Sequence, residues 1–222
     1  MNIKEAIAHL NFFSNITQEQ REHLVSISWI KSYSANALLY YEKSKSNQLL
    51  FLLNGLAKAY KIDKHDNEIF LYHVYSNHLI SEISSLEENY LTSYSNIIFI
   101  EPSQVLAIDY KLFKEKFLDK GQLCLELASE TIRQSKLLEG LVNREFIFDA
   151  VAKVAMMIDS DLEIFNRLKR YDVSLMLHIQ PSTLSRVLSR LKHKGVIDID
   201  HGEVVIVEKE ALQQIYKGLL DE

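Results

Sequence analysis

Apolar residues recur with three different periods along the chain, and the changes of period divide it. Between about Val25 and Asp109 they come in short runs rich in β-branched and aromatic residues: "LLYY", "LLFLLNG", "LAKAYKI", "EIFLYHVY", "NIIFI" and "QVLAI". Turn-like pieces, "KSKSN", "DKHDNE" and "EPS", separate them. Many short strands at this spacing predict an antiparallel sandwich or barrel. "KIDKHDNEIFLYHV" reads as a hairpin and Gly55 as a tight backbone position before a strand, while "ITQEQREHLVSI" reads as a short helix entering the domain.

From Tyr110 to about Glu145 the period turns helical, with Leu123, Leu127, Leu138 and Leu141 on one stripe and Thr131 and Gln134 in its middle. A long helix with so narrow an apolar seam predicts pairing between two copies; the alternative is a helix packed on the β domain. From Phe146 onward come an apolar helix, "FDAVAKVAMMI", then "EIFNRLKR", two short helices, and the hairpin "GVIDIDHGEVVIV" turning at His201-Gly202. An amphipathic helix, "KEALQQIYKGLL", closes the chain. The expected architecture is α+β: an antiparallel β domain over residues 1–110, a long helix over 111–145 and a helical domain with a hairpin over 146–222.

Composition narrows the function classes. With 222 residues, 47% hydrophobic and 25% charged, the chain is long enough for one to two well-formed cores. Its longest apolar runs are about five or six residues, far short of the roughly 18 a membrane span needs. "MNIKEAIAHL" is charged and helix-like rather than a secretory signal, so a cytoplasmic protein without a membrane partner is expected. A single cysteine, Cys124, excludes an internal disulfide, a thiolate zinc site and a four-cysteine iron–sulfur site, and reads as a small buried hydrophobe. No Ser/His/Asp order, HExxH, P-loop or dinucleotide glycine pattern occurs, and no enzyme is expected.

The net charge of −5 hides an uneven distribution. Between Phe165 and Gly195, seven cations (Arg167, Lys169, Arg170, Arg186, Arg190, Lys192 and Lys194) face the single anion Asp172. In the same region "YDVSLMLHIQPSTLSRVLSRLKHKG" reads as a short helix, a break, and a second helix started by Pro181, whose missing N–H costs nothing in a first turn. Leu184, Val187, Leu188 and Leu191 form a complete buried stripe at i, i+3, i+4 and i+7. Ser182, Ser185, Arg186 and Ser189 have that spacing on the opposite face. Serines add little helix propensity, but they let a helix approach another surface closely. Two helices presenting Ser, Thr and Arg from the second match a helix-turn-helix whose recognition helix enters the DNA major groove. Arginine can donate two bonds to a guanine edge, and Arg170, Arg190, Lys192 and Lys194 can meet phosphates.

A β-rich N-terminal region, a long connecting helix and "STLSRVLSRLKHKGVI" before a hairpin together resemble the Crp/Fnr family of bacterial transcription regulators over nearly the whole chain. The resemblance implies a β-roll or jelly-roll sensor domain of cyclic-nucleotide-binding type, a dimerisation helix and a C-terminal winged helix-turn-helix. It also implies a homodimer on a palindromic site in double-stranded DNA, activating or repressing transcription with RNA polymerase as partner. Carried over by residue, Thr183 and Arg186 match the family's recognition-helix threonine and arginine, Arg170 its phosphate-binding basic residue, and Gln180 a cap position facing the DNA backbone. Ser182 replaces the family's glutamate, so a half-site different from that of glutamate-bearing relatives is expected. His178 replaces the turn glycine.

In cyclic-AMP-binding members a Gly-Glu pair and, ten residues on, an Arg-Ser pair hold the nucleotide. Here these positions read Ser81-Glu82 and Thr92-Ser93: the glutamate remains and the phosphate-neutralising arginine does not. From His65 to Tyr110 there is no Lys or Arg, against seven carboxylates, so the sequence predicts a vestigial pocket unsuited to a phosphate. Three inputs stay open: haem, with His73 and His78 as candidate ligands; an uncharged or cationic small ligand; or no ligand. The resemblance further implies a role in nitrosative or redox stress.

Overall fold

The computed structural model describes residues 2–66, 68–146 and 148–217. The chain divides into two compact units, residues 1–138 and 139–222.

The first unit opens with α1 (Ile3–His9) and α2 (Gln18–Ser26). Both start with a capping box, Asn2 with Glu5 and Thr17 with Gln20, which satisfies the otherwise orphaned N–H groups of the first turn. Ten strands follow: β1 (Ser28–Tyr33), β2 (Leu38–Tyr40), β3 (Lys45–Ser46), β4 (Gln48–Asn54), β5 (Leu56–Ile62), β6 (Glu68–Tyr75), β7 (His78–Leu79), β8 (Leu91–Thr92), β9 (Asn96–Phe99) and β10 (Ser103–Asp109). They form two four-stranded antiparallel sheets, ordered β1-β10-β4-β7 and β2-β9-β5-β6, and a short β3-β8 pair. The expected hairpin is β5-β6, and Gly55 before it has φ +95°. A side chain there would meet the Ser103 hydroxyl, so the position requires glycine.

"LLFLL" is apolar without alternation because β4 is covered on both faces. Leu49, Phe51 and Leu53 join a core with Phe12, Phe13, Leu24, Leu106 and Phe113, while Leu50 and Leu52 are buried on the other side of the strand. The Phe12 and Phe13 rings lie 5.0 and 5.3 Å from the Phe51 ring in edge-on contact. Such aromatic pairs add about 0.5–1.5 kcal/mol each beyond their buried area.

The expected single helix over 111–145 is interrupted. α3 (Tyr110–Lys116) ends in a turn, and α4 (Cys124–Phe146) begins after it. At the break Gly121 adopts φ +73°, with its N–H bonded to the Leu118 carbonyl and that of Gln122 to the Phe117 carbonyl. This is a Schellman stop, for which glycine is the favoured residue. Cys124 is exposed at the start of α4, contrary to the sequence reading of a buried thiol.

The second unit contains α5 (Ala150–Arg167), α6 (Arg170–Met176), α7 (Pro181–His193), β11 (Ile197–Asp200), β12 (Glu203–Ile206) and α8 (Lys209–Lys217). Asp149 caps α5 through the N–H groups of Val151 and Ala152, and Asp161 breaks its helical geometry midway. β11 and β12 pair antiparallel around His201 (φ +48°) and Gly202 (φ +89°), the two positive angles a type I′ hairpin turn requires. The last residues of the expected closing helix, 218–220, lie outside the described residues. Among the described residues, no helix is long and apolar enough to cross a membrane.

Candidate nucleic-acid interface

α6 and α7 are joined by a turn built from backbone bonds. His178 has φ +50°; its N–H bonds the Leu175 carbonyl and the Ile179 N–H bonds the Ser174 carbonyl, both at 3.1 Å. This is again a Schellman motif, with histidine at the left-handed position usually taken by glycine. Pro181 then sits in the first turn of α7, where no partner for an N–H is missing.

Leu184, Val187, Leu188 and Leu191 are all buried, so the expected stripe holds α7 to its unit. Ser182, Ser185, Arg186, Ser189 and Arg190 are exposed on the other side, with Thr183 half-buried. The Ser185 and Ser189 hydroxyls donate to the carbonyls of Pro181 (3.1 Å) and Ser185 (3.0 Å), one turn back. Their protons being committed, both oxygens face outward as acceptors. Arg186 donates to the Thr183 hydroxyl at 3.3 Å, which steers the guanidinium along the first turn. Gln180 occupies the N-cap without a capping bond from its side chain. The outward face is small, donor- and acceptor-bearing and cationic, a chemistry complementary to base edges in a major groove.

Two of the expected phosphate ligands are used differently. Arg170 donates from Nη1 to the Phe165 carbonyl (2.9 Å) and from Nη2 to the Gly202 carbonyl (2.8 Å), with its guanidinium 4.5 Å from the Phe165 ring centroid. It fastens the end of α5 to the hairpin tip, and burial lowers its pKa. Lys192 Nζ lies 2.6 Å from Asp198 Oδ1, and this bond is the main reason the exposed Asp198 carboxyl is held below its ordinary pKa. The hairpin exposes Asp198, Asp200 and Glu203, so unlike α7 it presents negative charge. Sequence reading missed Asn166, which exchanges two bonds with the Val204 backbone (2.9 and 2.8 Å) and anchors the hairpin. No local pattern marks it, because the partner lies 38 residues away.

In the first unit, Ser81, Glu82 and Ser93 border one cavity of about 280 Å³; Thr92 does not line it and instead pairs with Lys45 in the β3-β8 strands. Each of these residues is committed within the chain. Glu82, 2% exposed, accepts from the Tyr72 hydroxyl (3.1 Å), the Ser95 hydroxyl (2.5 Å) and the N–H groups of Tyr94 (2.7 Å) and Ser95 (3.2 Å). Burial raises its pKa, and the bonds from Ser95, Tyr94 and Tyr72 only partly offset this. Ser81 Oγ accepts from the Leu50 N–H at 2.9 Å, and Ser93 Oγ donates to the Tyr41 carbonyl at 2.7 Å.

Residues 65–110 carry no Lys or Arg, but Lys31 and Lys45, from outside that window, line the cavity. The histidines do not fit axial haem ligation, which needs a nitrogen facing a cleft. Neither lines the cavity: His73 is buried beside Phe70 and Tyr75, and His78 Nδ1 lies 3.3 Å from Glu130 Oε1.

The seam proposed for α4 is corrected too. Leu123 precedes the helix, and with Leu127 it belongs to the core of the β domain. Gln134, 3% exposed, donates to the carbonyls of Leu79 and Ser81, Thr131 bonds back to the Leu127 carbonyl, and Leu138 and Leu141 are half-buried. Of that stripe, Leu123, Leu127 and Gln134 are thus buried within the β domain, while Thr131 is exposed. Among the described residues, the exposed large apolar side chains of α4 are Leu125, Ile132 and Val142.

Two family models match the chain, the Crp-like helix-turn-helix domain over residues 151–215 and the cyclic nucleotide-binding domain over residues 30–120. The chain belongs to the Crp/Fnr family of transcription regulators. Members of this family are DNA-binding regulators and not enzymes. No curated protein matches the chain by sequence. Among solved structures, FixK2 from Bradyrhizobium japonicum is similar at 16% identity and TM-score 0.70, over 86% of this chain and 98% of that one. A CooA mutant from Carboxydothermus hydrogenoformans is similar at 16% identity and TM-score 0.68, over 85% and 88%. The c-di-GMP-responsive regulator CLP from Xanthomonas campestris is similar at 14% identity and TM-score 0.64, over 86% and 99%. At these identities the likeness is one of fold.

Proposed function

We propose that this Crp/Fnr regulator acts as a homodimer on a two-fold symmetric DNA site, with RNA polymerase as its partner, and that cyclic AMP is not its effector. The observation that carries the DNA reading is the exposed Ser182, Ser185, Arg186 and Ser189 face of α7, held outward by a fully buried opposite stripe. Arg186 reads a guanine edge, Ser185 accepts from a base donor, Ser182 meets a base or a phosphate, and Arg190 and Lys194 supply sequence-independent attraction. With Ser182 in place of a glutamate, the demand for a C·G pair at that position is relaxed.

Dimerisation through α4 uses the exposed face: Leu125, Ala128, Ile132, Ser135 and Val142 fall at spacings of three, four, three and seven, with Glu139 at the position between the last two. Two such helices pair in parallel about a two-fold axis, the symmetry a palindromic site mirrors.

Against cyclic AMP stands the state of Glu82. Its oxygens already accept four bonds from Tyr72, Tyr94 and Ser95, so none is open to a ribose hydroxyl, and Thr92 carries no charge for the phosphate. Selection of sites from random DNA, followed by a salt-titrated gel shift, tests the reading. The expected result is a palindrome bound with affinity that falls steeply with salt. A salt-insensitive or sequence-blind protein would refute it, and micromolar cyclic AMP binding by calorimetry would refute the effector statement.

A further inference from the structure

We propose that the cavity beside Glu82 is a binding site for a small organic dianion of the dicarboxylate class. Its charged lining is Lys31 on β1, Lys45 on β3 and Glu82. Glu82 forms no ion pair with either lysine: both its oxygens accept from Tyr72, Tyr94 and Ser95, which lie outside the cavity wall. Among the described residues neither lysine has a carboxylate partner. Lys31 Nζ donates to the neutral Gln48 Oε1 at 3.0 Å, and Lys45 Nζ to the Tyr90 hydroxyl at 3.1 Å while lying 4.3 Å from that ring's centroid. An ammonium has three donors, so each keeps capacity for a ligand oxygen.

The two charges belong to different sheets, β1 to the β1-β10-β4-β7 sheet and β3 to the β3-β8 pair. They approach the space from separate strands, which suits a molecule with an anionic group at each end. Leu39, Leu50 and Leu91 give the cavity an apolar part for a short hydrocarbon spacer. At about 280 Å³ the space lies at the small end of ligand pockets. Gln134 of α4 donates to the carbonyl of Ser81, on the cavity wall, at 3.2 Å.

This proposal deepens the reading of the β domain as a sensor, yet its test needs no DNA, so failure here and failure of the DNA-binding reading are separate results. The full-length protein would be melted with succinate, with inorganic phosphate and with sodium chloride at matched ionic strength, and succinate binding measured by calorimetry. The expected result is a melting temperature raised by succinate alone. Lys31→Met or Lys45→Met should weaken succinate binding roughly tenfold, the scale of one lost charge-assisted contact. Both variants should melt within a degree or two of wild type without ligand, as expected for surface substitutions on the order of 0.5 kcal/mol. Absence of a succinate shift, an equal shift with phosphate, or unchanged binding in both variants would overturn the proposal.

Discussion

The Tyr72 hydroxyl donates to Glu82 across 3.1 Å, from the middle of β6 to the segment after β7. The carboxylate that relatives use for a ligand is thereby held by a side chain of the same domain. Tyr72→Phe removes one of its four donors, together with the hydroxyl contact between Tyr72 and Tyr94, and keeps the ring. A loss of about 1–2 kcal/mol is expected, a buried acceptor deprived of one partner, read by denaturant unfolding.

The same carboxylate sets a pH dependence. Burial raises the Glu82 pKa in the folded protein, so the folded state binds a proton more tightly than the unfolded one there. Stability from this group is therefore gained as pH falls from neutral toward the ordinary carboxylate value. Thermal melts across that window should show wild type gaining on Glu82→Gln as the pH drops; wild type losing ground to the variant instead would contradict the sign.

On α4 two faces make opposite predictions. Leu127→Ala, in the core of the β domain, should cost about 2–5 kcal/mol of stability. Ile132→Glu, 57% exposed, should leave the melting temperature of the monomer fold little changed and dissociate the dimer. Sedimentation of both variants at equal concentration distinguishes the two faces.

In the DNA-binding unit, Asp198→Asn releases Lys192 from its 2.6 Å partner. One more phosphate contact becomes available, so affinity should rise and the salt slope steepen by about one unit. Arg186→Ala should cost about 1–3 kcal/mol of binding and relax selectivity at one base pair. Arg170→Ala should act through stability instead, since its guanidinium joins the Phe165 and Gly202 carbonyls. Gel shifts and melts on the three variants separate these effects.

The helix-turn-helix was legible because its determinants are local. Pro181 starts a helix, four apolar residues at helical spacing orient it, and the His201-Gly202 hairpin follows from two residues that tolerate positive φ. The ladder of short strands was legible for the same reason. Less local features were misread. The helix break at Phe117–Leu123 depends on a backbone turn at Gly121, which a periodic pattern runs straight through.

The sequence by itself determined the order of elements, the buried and open faces of α7 and the absence of any Lys or Arg between His65 and Tyr110, since each is written in neighbouring residues. Tertiary structure alone decided three things: that Leu127 and Gln134 of α4 are buried within the β domain, that Arg170 and Lys192 bond within their unit, and that Lys31 and Lys45 stand beside Ser81 and Glu82. The physical reason is strand pairing and packing. They bring residues about 50 positions apart into contact, as in the Lys45–Thr92 register, and a helical period says which residues share a face but not what covers it.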